Sequence, residues 1–307
     1  MKARETNVLG EHLRRHGVGA LFDGQAHGAD LDVPLVAWIP DLQHLRLPQY
    51  FDADELRWRD ALFGGIIRYA SRIVVSSEDV LGDLGWFAPE AVARTRVLSF
   101  VAQVPDDVYD EESRCAVRKY HLPQRYFFLP NQFWKHKNHP LVLEALSRLR
   151  SVAPGIHVAC TGTPHDYRHP DHFGRLLAQI AELGLAGAVT LLGSVPHLDV
   201  LRLMRHSVAV LQPSLFEGWS TTVEESKSLG KGLILSDLAV HREQEPPRAL
   251  YFDPTSPAAL AERMLEAWEH WAPGPTADLE AEARALLPER TRAFGRRTVA
   301  VLDEVLV

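Results

Sequence analysis

Two glutamates, Glu217 and Glu225, stand eight positions apart in the segment FEGWSTTVEESKSLGKG, on either side of a turn that contains glycine. The turn leads into a segment of helical character, and the start of a helix offers free backbone N–H groups and a positive dipole end to a phosphate. A carboxylate beside a phosphate is repulsive unless it accepts hydrogen bonds from hydroxyl groups. The pattern therefore predicts amides for phosphates and glutamates for sugar or ribose hydroxyls.

A predicted strand precedes these groups, and a predicted helix follows the turn. The apolar run VAVLQ ends at Gln212, and a helix is expected from Thr222 to Leu229. Thr221 followed by Glu224 fits a capping box, and Gly230 fits a cap at the end of the helix. A strand, a turn and a helix N-terminus in succession form a suitable site for phosphate.

A purely structural interpretation of these carboxylates stays open on spacing alone. Glu224 and Glu225 favour the N-terminus of a helix electrostatically, and Glu217 would then be a solvated loop residue.

The composition predicts a soluble protein of two domains. The chain has 307 residues, 46% of them hydrophobic and 24% charged, and no apolar run approaches the about 20 residues of a membrane span. The N-terminus lacks the features of a secretory signal, so we expect a cytoplasmic protein. A formal charge of -7 gives no general attraction to nucleic acid, and peripheral membrane association stays open. Cys115 and Cys160 are expected to be reduced packing residues.

Short apolar runs alternate with helical segments along the chain. Such runs predict parallel strands that are covered on both faces, and the ligands of such sheets bind at the carboxyl ends of the strands. An acidic, proline-punctuated segment at 103–124 is expected to link the two domains, 1–124 and 125–287, and 288–307 is expected to be a closing helix. The expected strands are Gly17–Phe22, Val33–Trp38, Arg72–Ser77, Arg96–Val101, Tyr126–Pro130, Ile156–Thr161, Val189–Gly193, Val208–Gln212, Leu233–Asp237 and Ala249–Phe252.

The segment PSLFEGWSTTVEESKSLGKGLILSD resembles the signature of family 4 retaining glycosyltransferases of the GT-B fold. In that pattern P-S and E-G are followed by a second Glu, and a strand that ends in S-D comes later. The matching residues are Pro213, Ser214, Glu217, Gly218, Glu225, Gly230, Ser236 and Asp237. Gly232 stands where the family usually has Pro. The resemblance implies an α/β fold of two Rossmann-like doubly wound domains that face each other across a cleft, with a shortened N-terminal domain and a last helix that crosses back to it.

The same resemblance implies roles for the residues around the turn. Glu217 would hold the donor sugar, and Glu225 would bind the nucleotide ribose. The amides that follow Glu217 would bind the diphosphate; they belong to Gly218, Trp219, Ser220 and Thr221.

A second segment, PNQFWKHKNHPLVLEAL, resembles the family segment in which a lysine contacts the donor diphosphate. Lys137 matches that lysine, and a cation suits the negative charge that develops on a leaving diphosphate. Asn131 or Gln132 stands where the family commonly has Arg, and Lys135 is expected to compensate. The alternative is that both lysines are ordinary exposed residues beside a helix.

Asp41 and His44 lie in WIPDLQH, which is similar to a W-I-P-D-x-Q-H segment of a bacterial branch of the family. The resemblance places them near the sugar and the acceptor, where His44 would orient a sugar hydroxyl or assist deprotonation of the acceptor. A lone loop histidine is alternatively a polar packing residue.

Two further loops follow predicted strands at the edge of the sheet where a ligand is expected. Gly162 follows one strand, and the next loop, which lies near the nucleotide base in the family, contains Gly193, Ser194 and Val195. His165, His169 and His172 fit no strong zinc spacing, so no metal and no other cofactor is expected besides the nucleotide-sugar substrate.

The resemblance, together with these residues, implies a hexosyltransferase-type enzyme that transfers a sugar, with retention, from a nucleoside diphosphate sugar to a hydroxyl of a glycan or another acceptor in glycan or polysaccharide biosynthesis. A non-catalytic nucleotide-sugar-binding or partner subunit is the first alternative. A sugar-nucleotide epimerase of similar fold is the second.

Overall fold

The computed structural model describes residues 2–27 and 31–306, which fold into two compact units. The first unit comprises Met1–Phe100, Glu217–Trp219 and Glu289–Val307, and the second comprises Val101–Phe216 and Ser220–Pro288. Each unit is built on a sheet of parallel strands, so the predicted α/β class is confirmed. Nowhere in the described residues is a helix long and apolar enough to cross a membrane.

The described strands of the first unit form one sheet in the order β1-β2-β3-β4. Every neighbouring pair is parallel, as the nearly continuous apolar runs predicted. The strands are β1 (Leu21–Asp23), β2 (Leu35–Ile39), β3 (Arg72–Val75) and β4 (Thr95–Val97). The helices of the N-terminal hundred residues are α1 (Lys2–Arg15), α2 (Gln43–Arg46), α3 (Ala53–Tyr69) and α4 (Glu78–Phe87).

Strand β2 shows how this sheet is covered. Leu35, Ala37 and Ile39 point to one face, where they pack in a buried cluster that includes Phe63 of α3. On the other face Val36 packs against a helix from the C-terminal part of the chain, α12 (Ala277–Asp303). The predicted closing helix is therefore present and begins earlier than expected.

The described strands of the second unit form a sheet in the order β10-β9-β8-β5-β6-β7, again with parallel neighbours. Parallel strands place all their carboxyl ends at one edge. The strands are β5 (Phe127–Leu129), β6 (Val158–Cys160), β7 (Val189–Leu191), β8 (Val210–Gln212), β9 (Leu233–Ser236) and β10 (Ala249–Phe252). Each strand lies within its predicted run.

Helices flank this second sheet, and the segment 103–124 is part of the same unit. In that segment Val108 and Val117 are buried in a cluster with Tyr126 and Met204. Cys115 and Cys160 are free cysteines, as expected. The helices are α5 (Cys115–Lys119), α6 (His139–Leu149), α7 (His172–Glu182), α8 (His197–His206), α9 (Thr221–Ser228), α10 (Ala239–Glu243) and α11 (Pro257–His270).

Lys231, between α9 and β9, is a buried lysine whose side-chain nitrogen links its own segment to two others, at 205–207 and at Gly274. Its Nζ donates to the carbonyl oxygens of Ser207, Gly274 (2.9 Å) and Arg205 (3.4 Å). The side chain is buried, and burial lowers the pKa of Lys231 to about 7.

Replacing Lys231 by methionine is expected to lower the free energy of unfolding by about 2 kcal/mol at pH 8, because buried carbonyl groups lose their donor. The pKa of Lys231 in the folded protein is about 7, below the ordinary lysine value of 10.5. Between these two pH values the unfolded chain binds more protons than the folded one, so the contribution of Lys231 to the free energy of unfolding increases as pH rises. Urea unfolding of both proteins from pH 7 to 10 tests this. A difference that shrinks as pH rises would contradict the assignment, and Arg148→Met, an exposed change on α6, is the control.

Candidate functional site

The loops after β6 and β7 meet at the carboxyl edge of the second sheet. The amide of Gly162 donates to the carbonyl of Gly193 at 2.9 Å, and Thr161 Oγ1 donates to the same carbonyl at 2.5 Å. Ser194 Oγ lies 3.3 Å from Thr163 Oγ1. The structure thus brings together two of the loops that the sequence predicted at the ligand edge, and half-buried Val195 continues the second of them.

Gly162 allows two backbone segments to approach closely at this edge. Its φ is +147°, and a Cβ on this residue would lie 2.7 Å from the carbonyl carbon of Asn131 and 2.7 Å from Cα of Gln132. Only a residue without a side chain fits both the conformation and the space.

Lys135 and Lys137 lie in a single 3-10 turn after β5, and both are half-buried. Two hydrogen bonds join the turn to the segment that follows β8. The His136 carbonyl accepts from the amide of Leu215 at 2.8 Å, and the side chain of Asn138, a residue at φ +58°, donates from Nδ2 to the carbonyl of Pro213 at 3.2 Å. Lys137 therefore stands beside the chain segment that follows β8.

Helix α9 begins at Thr221, and its N-cap is Ser220, whose side chain accepts a hydrogen bond from the amide of Val223. The capping box predicted for Thr221 and Glu224 is therefore wrong. Glu224 instead accepts hydrogen bonds from Lys227 Nζ at 3.1 Å and from Gln244 Nε2 at 3.2 Å, so its carboxylate is paired with a cation of the same helix.

A buried chain of amide side chains holds Ser220 in place. Asn131 Nδ2 donates to Gln212 Oε1 at 2.7 Å, and Gln212 Nε2 donates to Ser220 Oγ at 3.0 Å. The amide of Ser220 in turn donates to Gln244 Oε1 at 3.2 Å. Asn131, predicted as a donor-binding residue, is buried beneath the turn and supports its geometry.

The first amides of α9 are available to a ligand. In the described part of the chain, the backbone N–H groups of Thr221 and Thr222 have no hydrogen-bond acceptor. They carry the positive end of the helix dipole, and such amides bind phosphate oxygens.

Glu225 lies one turn further along α9, where it forms a contact that the sequence analysis missed. Its Oε1 lies 2.7 Å from Nε2 of His197, the first residue of α8. Burial raises the pKa of the Glu225 carboxyl, and the hydrogen bond from His197 lowers it in part. No motif in the sequence pairs these residues, since the contact exists only because the N-terminus of α8 lies beside α9.

The turn Glu217–Trp219 belongs to the first unit, where Gly218 is closely packed. A Cβ on Gly218 would lie 2.8 Å from Cβ of Asp41, and the Gly218 carbonyl accepts a hydrogen bond from Ser77 Oγ at 2.8 Å. Trp219 Nε1 donates to the carbonyl of Phe100 at 3.0 Å. Glu217 is half-buried. The sequence motifs around Asp41 and Gly218 therefore meet within this unit.

His44 is a buried residue of α2. Its side chain is 1% exposed, Nε2 lies 3.2 Å from Asp60 Oδ1, and the ring packs 5.4 Å from that of Phe63 between centroids. Burial lowers the pKa of His44, although Asp60 opposes this shift. A neutral, enclosed imidazole is suited to holding its neighbours in place.

The histidines of the segment TGTPHDYRHPDH form no cluster with a metal-binding arrangement. Within residues 2–27 and 31–306, no group of three or more His, Cys, Asp or Glu side chains is placed to hold a metal ion. His169 lies in a backbone turn that leads into α7, and His172 is the first residue of that helix and is buried.

The sequence matches one protein-family model over more than half of its length. That model describes the glycosyl transferases group 1, and the match covers residues 116–285. No curated protein is significantly similar to the chain in sequence.

Solved structures of glycosyltransferases share the fold. A glycosyltransferase from Rickettsia africae is 16% identical with a TM-score of 0.74, and the match covers 99% of this chain and 81% of that one. HepE from Anabaena, solved in complex with UDP, is 16% identical with a TM-score of 0.75 over 97% and 82% of the two chains. Sucrose-phosphate synthase from Thermosynechococcus elongatus is 14% identical with a TM-score of 0.75 over 98% and 78%. The fold predicted from the sequence is confirmed: it matches that of GT-B glycosyltransferases.

Proposed function

The chain belongs to the glycosyl transferases group 1 family, and from that premise we propose that it is a retaining glycosyltransferase that uses a nucleoside diphosphate sugar. One observation carries the proposal. Unpaired amides at the start of α9, the turn of Lys137 and the carboxylate of Glu225 all follow strands at the same edge of one parallel sheet. Amides and a cation suit a diphosphate, and a carboxylate suits ribose hydroxyls.

A nucleoside diphosphate sugar is the proposed donor because the site combines donors and a cation for a diphosphate with a carboxylate for ribose hydroxyls. The amides of Thr221 and Thr222 and the ammonium group of Lys137 would bind the diphosphate, while Gly162 and the loop at Gly193 would approach the base or sugar through their backbone. HepE, which shares the fold, is known in complex with UDP and with UDP-glucose. UDP-glucose is therefore the first donor to test.

The proposed reaction needs no enzymic nucleophile. The bond between the anomeric carbon and the diphosphate oxygen breaks, and the acceptor hydroxyl oxygen forms a bond to the same face of that carbon. The acceptor proton passes to the departing diphosphate. Lys137 and the helix amides would stabilise the charge that develops on this leaving group.

Residues of the first unit would serve the sugar and the acceptor. We assign Glu217 to the sugar hydroxyls and Asp41 to the acceptor side. Since the His44 ring is enclosed, we assign His44 a supporting role for the loop of Asp41 rather than direct contact. The proposed acceptor is a hydroxyl of a glycan or polysaccharide, and the transferred group is a hexose.

Transfer by the purified chain tests this proposal. UDP-glucose, UDP-galactose, GDP-mannose and ADP-glucose are first screened for thermal stabilisation, since a bound donor raises the melting temperature according to its affinity and concentration. The stabilising donor is then incubated with oligosaccharide acceptors. We expect release of nucleoside diphosphate together with an α-linked product from an α-linked donor, as judged by NMR. A β-linked product would contradict retention, and the absence of stabilisation by any donor would contradict the donor site.

A nucleotide-sugar-binding subunit without turnover is the second candidate. It is favoured by the absence of the family's common arginine, since Asn131 or Gln132 stands at that position and the side chain of Asn131 is buried in a hydrogen bond with Gln212. The diphosphate site thus lacks one cation at that position. Thermal stabilisation by a donor without release of nucleoside diphosphate would favour this candidate over the enzyme.

A further inference from the structure

His197 and Glu225 form an isolated pair at the carboxyl edge of the second sheet. The side chain of His197 is 64% exposed, whereas that of Glu225 is 10% exposed. Across the described residues, neither side chain makes another hydrogen bond besides the 2.7 Å contact between Nε2 and Oε1. An accessible imidazole is thus fixed to one oxygen of an enclosed carboxylate, and Oε2 keeps its hydrogen-bonding capacity.

The acidic residues that lie near this pair in the sequence have hydrogen-bond partners of their own. Asp199, two positions after His197 on α8, accepts hydrogen bonds from Lys119 and Tyr120. Glu224, which precedes Glu225 on α9, accepts hydrogen bonds from Lys227 and Gln244. Pro196 precedes His197, and the loop that contains Gly193 precedes Pro196, so the imidazole stands where that loop enters α8.

We propose that His197 is a positioning residue of the donor site: by donating Nε2–H to Oε1 of Glu225, it orients the carboxylate so that Oε2 accepts hydrogen bonds from the hydroxyls of a nucleotide ribose. The inference rests on the proposed function, and it adds His197 to the donor site and a preference for nucleotides that carry ribose hydroxyls. A buried carboxylate with a single protein donor is free to rotate once that donor is lost, so its alignment with two vicinal hydroxyls depends on His197.

The hydrogen bond from His197 also affects the pKa of the Glu225 carboxyl. Burial raises the pKa of Glu225 and His197 lowers it, and no other described charged group contributes to the shift. Loss of His197 therefore raises this pKa further. Because the carboxylate is the form that accepts from both hydroxyls, donor affinity falls as pH drops through the pKa of Glu225, and this fall begins at higher pH without His197.

The test uses two ligands that differ only in the ribose hydroxyls. Thermal stabilisation first selects UDP, GDP or ADP, and the dissociation constants of that nucleotide and of its 2′,3′-dideoxy form are then measured by calorimetry from pH 5.5 to 8.5. The proteins are wild type, His197→Ala, His197→Gln and Glu225→Gln. The control is His270→Ala, a change at an exposed histidine on α11.

We expect His197→Ala to weaken the ribonucleotide about tenfold at pH 7.5 and to leave the dideoxynucleotide unchanged, because only the former presents hydroxyls to Glu225. The glutamine variant keeps an N–H donor and should restore most of the affinity. The pH at which affinity falls should move upward in His197→Ala, whereas a merely structural role would not move it.

Other outcomes separate this inference from the proposed function. Equal losses for both nucleotides, or tighter binding by His197→Ala, would overturn the positioning role while the donor site stands. A loss in Glu225→Gln without one in His197→Ala would do the same. If the wild-type chain binds none of UDP, GDP and ADP, the proposed function itself fails and the inference fails with it.

Discussion

Replacing Lys137 by methionine is expected to lower kcat about 10²- to 10³-fold, because the departing diphosphate loses a cation that acts mainly in the transition state. The fold should be retained. The turn that carries Lys137 is held by hydrogen bonds that do not involve the Lys137 side chain: the amide of Lys137 donates to the carbonyl of Trp134 at 2.9 Å, and Asn138 Nδ2 donates to the carbonyls of Pro213 and Pro254. Methionine keeps most of the aliphatic length of lysine, so the packing of the stem is largely preserved.

Steady-state release of nucleoside diphosphate measures the effect, with kcat and KM determined separately for wild type and variant. Lys135→Met is the matched neighbour in the same turn, and its expected loss is smaller, about tenfold, because Lys135 supplements the charge of Lys137. A variant at Lys137 that raises KM while kcat is unchanged would show uniform binding of the donor and would contradict a role in leaving-group stabilisation. Equal losses at both lysines would contradict the distinction between them.

The two sheets could be predicted because their strands have a strong local signal. Runs such as LILSD and YFFLP are apolar on both faces, which indicates strands covered by helices on either side, and β9 and β5 lie within them. The ends of elements were less predictable. Helix α12 begins at Ala277 rather than near residue 288, because Pro288 is accommodated inside the helix.

The site was predictable only where a local motif marks it. The resemblance to the family indicated Lys137 and Glu225, and the end of a predicted strand indicated Gly162; all three follow strands at one edge of the second sheet. The residues that hold them depend on contacts across the fold. His197 reaches Glu225 from a different helix, and the cap of α9 depends on Gln212 and its neighbours.

Asn131 is a residue that the motif does mark, but whose hydrogen bonds the sequence did not predict. Asn131 or Gln132 stands where the resembling family commonly has an arginine, and Asn131 is predicted from that resemblance to bind the donor. In the structure its side chain donates to Gln212, which in turn donates to Ser220. A motif assigns a residue to a position along the chain, whereas burial and hydrogen-bond partners determine what the side chain does there.

Gly162→Ala is expected to lower the free energy of unfolding by about 3 kcal/mol or more, because the change combines backbone strain with a clash. A φ of +147° is one that residues with a side chain rarely adopt. The added methyl group would also lie 2.7 Å from backbone atoms of Asn131 and Gln132, which cannot rotate away as a side chain would. Urea unfolding of wild type and variant measures the difference.

Gly174→Ala is the matched control, because it makes the same chemical change in the same unit with the opposite expected sign. Gly174 lies within α7, and a Cβ there would meet nothing within 4 Å. Alanine is favoured over glycine inside a helix by about 1 kcal/mol, so this variant should be more stable than wild type. If Gly162→Ala unfolded at the wild-type urea concentration, the loops after β5 and β6 would have to move apart without cost. The close approach that positions Gly162 beside Asn131 would then not be a requirement of the site.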